Sequence, residues 1–486
     1  MKLKQLVKGI PIQEIKGSKE VEITGISADS RTVAPGNLFI AKKGGSFDGT
    51  QFIPQAISAG AAAVLTDFYD PFLGVTQLIH QDVRVVEGQL AARYHGDPSK
   101  ELFVVGITGT KGKTTTTYLV KHLLDGLGKK AGLVGTVETI IGDNRFFSKL
   151  TTHDVIANQK ILREMVLKGC ESVAFEVSSH GLDQGRVDEI EFDVGIFTNL
   201  YPDHLDYHPN IDEYAKAKKR LFERTRERAV FNSDSPWWKK MAEGCKADIW
   251  TFGVEEKADL QGKNIVFTEK GTEFEVHFQG KKWDFRTKLM GRFNVYNVLG
   301  AVAVGLHTGA EMEKMGEILE SFETAPGRLE SVGKGIFVDF AHSGEALENV
   351  LRTMREIARK RVIVIFGCGG NRDPARRKGM AQAAERFADV PIVTSDNPRQ
   401  EDPNQICKEI LEGFKEPKKA IVELDRKKAI SLGVGMMENG DLLLIAGKGH
   451  EKIQIFAHQT VPFDDVTVAK EALQNRENSA ILISSS

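Results

Sequence analysis

The sequence predicts an α/β chain built from about three domains, and three observations carry that expectation. At roughly 150 residues per domain, 486 residues exceed a single ordinary core. Glycine (47) far outnumbers proline (15), which suits many tight strand-to-helix turns. Short apolar runs recur between helical stretches and end in polar clusters instead of two-residue hairpin turns, which points to parallel strands joined by crossover helices.

Along the chain, Val21–Ile26 and Leu38–Ala41 are strand-like runs broken by DSRTVAPGN and KKGGSFDG. They predict a small mixed α/β domain with glycine-rich loops over residues 1–97. Polar GDPSKE (Gly96–Glu101) marks the boundary to a central domain over 98–326. There a buried strand, Leu102–Ile107, opens into a glycine turn and an amphipathic helix from Lys113 to Leu127. Glu171–Val177 and Asp193–Leu200 repeat that grammar. The uncharged stretch Phe293–Ala310 carries Asn294, Asn297 and His307, so it predicts a buried helix and no membrane span. From Pro326 a second doubly wound unit is expected over 327–486, with strands near Gly335–Phe340, Arg361–Phe366, Pro391–Thr394, Ala420–Leu424 and Asp441–Ile445. Ser484–Ser486 reads as a frayed tail.

Composition narrows the function classes. The 65 Lys+Arg against 67 Asp+Glu leave a formal charge of −2, so no global basic field favours a nucleic-acid partner. The four cysteines lack CxxC pairing and read as reduced thiols in a cytoplasmic protein without structural zinc. The opening MKLKQLVKGIPIQEIKG carries charges every few residues and lacks the apolar core of a signal peptide.

The strongest chemical signal is Gly106-Ile-Thr-Gly-Thr-Lys-Gly-Lys-Thr-Thr115, placed between a buried strand and a helix. Backbone N–H groups from Gly109 through Thr110, Lys111 and Gly112 to Lys113 can wrap phosphate oxygens. Lys113 can reach the β/γ-phosphates, and Thr114 can ligate Mg²⁺. Glu176 ends its strand in FEVSSHGLDQGR, and His204 follows the next in TNLYPDHLDYH. In a parallel sheet these strand ends converge on one crevice. Taken alone, His204 reads more readily as a loop or core histidine, and Asp203 and Asp206 as helix caps.

In the carboxyl-terminal unit a polar cluster follows nearly every strand: Asp339 and His342, then Arg372, then Asp396 and Arg399, then Lys448 and Glu451. Each alone is an ordinary turn. Four on one sheet edge suggest a pocket in which a guanidinium clamps a carboxylate and a carboxylate holds an ammonium, as an amino acid requires.

At these residues the chain resembles the Mur ligase family of ATP-dependent amino-acid ligases over essentially its whole length. The carriers are DSR (Asp29–Arg31), TGTKGKTT, Thr151-Thr152, EVSSH, TNxxxDHLDxH, YAKAK around Lys218, GRFNVYN, APGRLE, GCGGNRD, DNPR and GKGHE. The resemblance implies an amino-terminal domain for a UDP-sugar substrate, a central P-loop ATPase sheet and a Rossmann-like carboxyl-terminal domain for the incoming amino acid. It implies that ATP phosphorylates the D-glutamate carboxylate of UDP-N-acetylmuramoyl-L-alanyl-D-glutamate, and that an amine attacks the acyl phosphate, with ATP and Mg²⁺ as requirements. A cytoplasmic monomer acting on small molecules is expected.

Carried over residue by residue, Ser30, Thr151, Thr152, Ser178, Gln184 and Arg186 would hold the UDP-muramoyl dipeptide. Gly109, Thr110, Lys111, Gly112, Lys113, Thr114, Thr115, Asn297, Arg328, Asp339 and His342 would hold ATP. Lys113, Glu176, His204 and Lys218 would be catalytic, with Thr114, Glu176, His204 and Lys218 around the metal. Lys218 matches the lysine that is carbamylated in this family, although sequence alone reads it as a solvated helix lysine. Arg372, Asp396, Asn397, Pro398, Arg399, Gly447 and Glu451 would hold the amino acid. DNPR looks like the version that accepts meso-diaminopimelate, whose second carboxylate gives Arg399 a partner that lysine lacks.

Four departures stand out: Lys111 where Asn is usual, His153 where Pro follows the Thr pair, DFAHSGE for DYAHTPD, and RDPARRKGM without KRP. The rival expectations are a lysine-adding or folylpolyglutamate-type ligase of the same architecture, and a nucleotide-binding interaction protein that has lost ligation.

Overall fold

The computed structural model describes residues 1–43, 48–268 and 270–484, so the middle of the KKGGSFDG loop and Ser485–Ser486 of the expected tail lie outside the described residues. The chain divides into two compact units. The first comprises Met1–Gly262, Val276–Trp283 and Tyr296–Leu319, and the second Lys263–Glu275, Asp284–Val295 and Glu320–Ser486.

In the first unit, β1 (Glu14–Lys16), β2 (Gly25–Ser27), β3 (Asn37–Ile40), β4 (Ala63–Thr66) and β5 (Thr76–Ile79) form a sheet of order β1-β5-β4-β3-β2. Strands β2 to β5 are parallel and β1 is antiparallel to β5, so the expected mixed architecture is present. Leu38, Ile40, Leu65 and Leu78 face Val86 and Leu90 of the helix Val83–Tyr94.

A larger sheet follows in the same unit. Its strands are β6 (Phe103–Thr108), β7 (Ala131–Val134), β8 (Glu138–Ile141), β9 (Asn144–Phe147), β10 (Ser172–Glu176), β11 (Phe192–Phe197), β12 (Thr225–Asn232) and β13 (Asp248–Gly253). Across this part the order is β13-β12-β11-β6-β10-β7-β8-β9. β6 lies between β10 and β11, all three parallel, which sets their carboxyl ends side by side where ligands of open α/β sheets bind. β8 and β9 depart from the expected all-parallel grammar. They form a hairpin whose turn uses Gly142 at φ 59, a left-handed conformation open to glycine. The predicted buried helix is observed as Arg292–His307. Segment 260–287 carries three further strands, β14 (Leu260–Thr268), β15 (Gly271–Phe278) and β16 (Lys281–Thr287), and its residues are shared between the units.

The second unit holds β17 (Glu330–Gly333), β18 (Ile336–Asp339), β19 (Val362–Phe366), β20 (Val390–Val393), β21 (Ile421–Val422) and β22 (Leu442–Ala446). Their order is β17-β18-β22-β19-β20-β21, parallel except for β17. β19 is apolar throughout because both faces are covered. Val364 and Phe366 pack with Leu347 and Leu351 of the helix Gly344–Ile357, while Ile363 and Ile365 pack with Ile430 and Val434 of the helix Arg426–Met436. The expected strand at Ala420–Leu424 shortens to β21, an edge position with a single partner strand. A hairpin of β23 (Ile453–Ile455) and β24 (Thr460–Pro462) follows.

Candidate active site

The loop after β6 is shaped by two glycines. Gly109 has φ 147, and a Cβ there would lie 1.9 Å from Thr198 Oγ1. Gly112 has φ 85 and leads into the helix Lys113–Gly126. The loop is tied to the segment after β11: the Thr110 N–H donates to the Asn199 carbonyl (2.9 Å) and the Lys111 N–H to Asn199 Oδ1 (2.9 Å). Thr198 Oγ1 donates to the Lys111 carbonyl (2.7 Å). Thr115 is buried in the first helical turn, and Asn297 Oδ1 accepts from Thr116 Oγ1 (3.1 Å) just below Gly112. Lys113 Nζ donates to the carbonyls of Gly109 (3.0 Å) and Thr110 (3.1 Å), so its ammonium lies over the cradle.

Glu176, 2% exposed, ends β10 with both oxygens 3.2 Å from Thr114 Oγ1. The same carboxylate accepts from the N–H and hydroxyl of Thr136, each at 3.0 Å. Thr136 was not anticipated, because it lies in the β7–β8 turn, whose antiparallel course the strand pattern did not announce. Thr136 Oγ1 in turn meets Thr151 Oγ1 at 2.9 Å.

Lys218 corrects the solvated-lysine reading. It is 1% exposed on the inner face of the helix Ile211–Glu223, donates to the Gly109 carbonyl (2.8 Å) and lies 4.5 Å over the Tyr214 ring. Burial, reinforced by the nearby Lys113 charge, holds its amine well below the ordinary lysine range. Both lysines therefore converge on one carbonyl at the phosphate loop. His204 adopts φ 55 and meets the His180 ring edge-on at 5.0 Å. Desolvation pushes its imidazole down to about 4, which keeps it neutral at pH 7.

Thr152, Ser178, Gln184 and Arg186 form one network. Thr152 Oγ1 donates to the Glu176 carbonyl (3.1 Å) and accepts from the Ser178 N–H (3.0 Å). Its carbonyl accepts from Arg186 Nη1 (2.9 Å), and Arg186 Nη2 donates to Gln184 Oε1 (2.6 Å). The Thr152 side chain is fully buried, so it positions its neighbours. Ser30 follows β2 and donates to Gln55 Oε1 (2.8 Å). His153 lies 3.2 Å from Thr139 Oγ1.

In the second unit, one cavity is lined by His342, Arg372, Asp396, Asn397, Arg399, Gly447 and Glu451. The expected pocket of strand-end clusters is therefore present. Arg399, at φ 52, is steered by its Nη1 donating to the Gly370 carbonyl (2.7 Å). Asn397 Nδ2 donates to Glu451 Oε2 (2.7 Å), and fully buried Lys448 bonds both Asn397 Oδ1 (2.9 Å) and Glu451 Oε2 (3.1 Å). Lys448 is thus a buried strut for the carboxylate. Pro398 approaches Gly370 so closely that a Cβ on Gly370 would lie 1.9 Å from the Pro398 carbonyl oxygen. Asp339 accepts from the N–H groups of Leu329 (2.7 Å) and Ala341 (2.8 Å), which fixes the backbone beside Arg328. The Arg328 guanidinium stacks 5.0 Å over Phe340, whose carbonyl accepts from His342 Nδ1 (2.8 Å).

Comparison with known proteins bears on these sites. Residues 22–95 match the family model described as "Mur ligase family, catalytic domain", 107–305 match "Mur ligase middle domain", and 327–449 match "Mur ligase, glutamate ligase domain". The chain is 41% identical over 485 residues to a UDP-N-acetylmuramoyl-L-alanyl-D-glutamate--2,6-diaminopimelate ligase of Chlamydia felis, covering 98% of this chain and 100% of the relative. A ligase of the same name from Geobacillus kaustophilus is 41% identical over 490 residues, with the same coverage. Among solved structures, one described by that ligase name is similar with a TM-score of 0.74 and 30% identity, covering 98% of this chain and 99% of that one. A MurF ligase of Thermotoga maritima in complex with ADP shares the fold at a TM-score of 0.64 and 19% identity, covering 95% of this chain and 99% of that one.

Proposed function

The chain belongs to the Mur ligase family, and from that premise we propose that it joins meso-diaminopimelate to UDP-N-acetylmuramoyl-L-alanyl-D-glutamate at the expense of ATP, a step of peptidoglycan precursor synthesis. The single observation that carries the choice of amino acid is the cavity lined by both Arg372 and Arg399 and by Asp396 and Glu451. Guanidinium groups suit carboxylates, and the acids suit an ammonium. A substrate with two carboxylates matches this pairing, whereas L-lysine would leave a guanidinium desolvated and unpaired.

The UDP-sugar peptide is assigned to residues 1–97 together with Thr151, Thr152, Ser178, Gln184 and Arg186, ATP to the central domain (98–326) with Asn297 and with Arg328, Asp339 and His342, and the amino acid to 327–486. Phosphoryl transfer needs charge neutralisation and positioning more than covalent help from the protein. The D-glutamate carboxylate attacks the γ-phosphorus, ADP leaves, and an acyl phosphate forms. Lys113 and the loop N–H groups other than those of Thr110 and Lys111, which Asn199 engages, neutralise the phosphates. The neutral amine of the amino acid then attacks the acyl carbon, phosphate departs, and the amine proton passes to solvent.

Magnesium fits the donor set. Among the described residues no three His, Cys, Asp or Glu side chains converge, but Thr114 and Glu176 offer hard oxygens beside the phosphate cradle. One carboxylate plus substrate phosphates and water is the usual magnesium environment. Thr114, Glu176, His204 and Lys218 as its carbamate would hold the ion, which would supply charge neutralisation at the phosphates. Burial disfavours the charged form of Lys218, and its unprotonated amine adds to the carbon of CO₂ and loses a proton, which gives an anionic oxygen ligand in place of a lysine.

A cytoplasmic monomer acting on small molecules is part of the same proposal. Among the described residues no helix is long and apolar enough to cross a membrane. Mass analysis of a reaction containing the UDP-dipeptide, meso-diaminopimelate and ATP tests the proposal. A product heavier by one diaminopimelyl residue with equimolar ADP is expected. ADP without that product would refute it.

A further inference from the structure

The amino-acid cavity is built on the ends of two strands that do not touch. β22 and β20 lie on opposite sides of β19, and the segments that follow them supply Gly447 and Asp396. One side chain joins these ends from behind. Arg426, the first residue of its helix, is fully buried and forms a two-pronged pair with equally buried Asp465: Nε to Oδ1 at 2.8 Å and Nη2 to Oδ2 at 2.7 Å. Two of its remaining N–H groups reach main chain. Nη2 donates to the Ala446 carbonyl (2.9 Å) and Nη1 to the Ser395 carbonyl (3.3 Å). These carbonyls immediately precede Gly447 and Asp396.

From this geometry we infer that Arg426 is a positioning residue for amino-acid selection, a planar clamp that sets the spacing of the two cavity walls. The inference rests on the reading of that cavity as the amino-acid site. The spacing it sets is tight. Gly447 has φ 115, and a Cβ there would lie 2.5 Å from Asp396 Oδ2, so the two walls approach closely enough that only glycine fits between them. The setting propagates to the residue after Asp396, because Asn397 holds both Lys448 and Glu451. The four bonds use four of the five coplanar donors of a guanidinium; an ammonium has three, tetrahedrally arranged.

A buried ion pair also has a purely structural reading, in which it contributes to stability alone. Two full-length variants separate the readings. The double variant Arg426→Met/Asp465→Leu removes the clamp without leaving a lone buried charge, and Arg426→Lys keeps the charge without the fork. Steady-state turnover is measured with meso-diaminopimelate and ATP varied in turn while the other substrates are saturating, and thermal unfolding in parallel. The clamp predicts that KM for meso-diaminopimelate rises about tenfold in the double variant, equivalent to ~1.4 kcal/mol, with a smaller rise for Arg426→Lys. KM for ATP should stay within about twofold, and the ratio of meso-diaminopimelate to L-lysine turnover should fall. A folded double variant with unchanged KM for meso-diaminopimelate overturns the inference, as does an equal rise in both KM values. If the double variant does not fold, an unchanged KM in Arg426→Lys overturns it. Wild-type turnover indifferent to meso-diaminopimelate overturns the cavity assignment and this inference with it.

Discussion

Substituting alanine for Gly112 should weaken the nucleotide site by an amount the geometry allows one to work out. The backbone there has φ 85, and an L side chain in that region costs roughly 1–2 kcal/mol. The new Cβ would sit 2.5 Å from Asn297 Oδ1, so the Asn297 amide must rotate away. That movement breaks its bond from buried Thr116 Oγ1, and an unsatisfied buried hydroxyl costs about 1–3 kcal/mol. The sum is about 2–5 kcal/mol, shared between fold stability and ATP affinity. Urea unfolding and calorimetric ATP titration measure the two parts, and Asn297→Ala supplies the control. In that background the clash is absent, so Gly112→Ala should cost only the backbone part. An identical cost with and without Asn297, or no cost at all, would refute the reasoning.

The remaining expectations concern the other cavity, the buried lysine and one imidazole. Arg399→Ala should raise KM for meso-diaminopimelate by about tenfold to a hundredfold, the worth of a charged hydrogen bond, while ATP binding measured by calorimetry survives; equal loss of both places Arg399 outside the amino-acid site. Lys218→Ala should abolish ligation and recover partly with added short carboxylates, and activity indifferent to the substitution removes the carbamate from the account. Burial pushes His450 down to about 4 from an ordinary 6.5, so the unfolded chain takes up its proton first as pH falls. Stability is therefore lost between about pH 6.5 and 4, and His450→Gln should flatten the fall in thermal midpoint over that window. Parallel curves for the two proteins would contradict the shift.

Strands buried on both faces were the most legible part of the fold. β19 is a continuous apolar run and β10 has an apolar centre of Val173, Ala174 and Phe175, and their observed bounds differ by a residue from those expected. The β8–β9 hairpin was not legible, because β9 is exposed on every residue and carries no burial pattern, which leaves only Gly142-Asp143 as a turn signal. Residues of the phosphate loop were legible because backbone chemistry demands glycine at positive φ. Lys218 was not: YAKAK places two lysines and two alanines in a helix without distinguishing the lysine that turns inward, and only the fold shows it beneath Gly109. Thr136 and Arg426 were missed for a related reason. Each acts by bonding groups distant in sequence, Glu176 and the Ser395 and Ala446 carbonyls, and no local spacing encodes such contacts.

Phosphate release from ATP tests the central claim most directly, with the UDP-dipeptide present and meso-diaminopimelate or L-lysine added in turn. The account predicts release that depends on the amino acid and is much faster with meso-diaminopimelate. Release that ignores the amino acid contradicts ligation, and faster release with L-lysine contradicts the role given to Arg399.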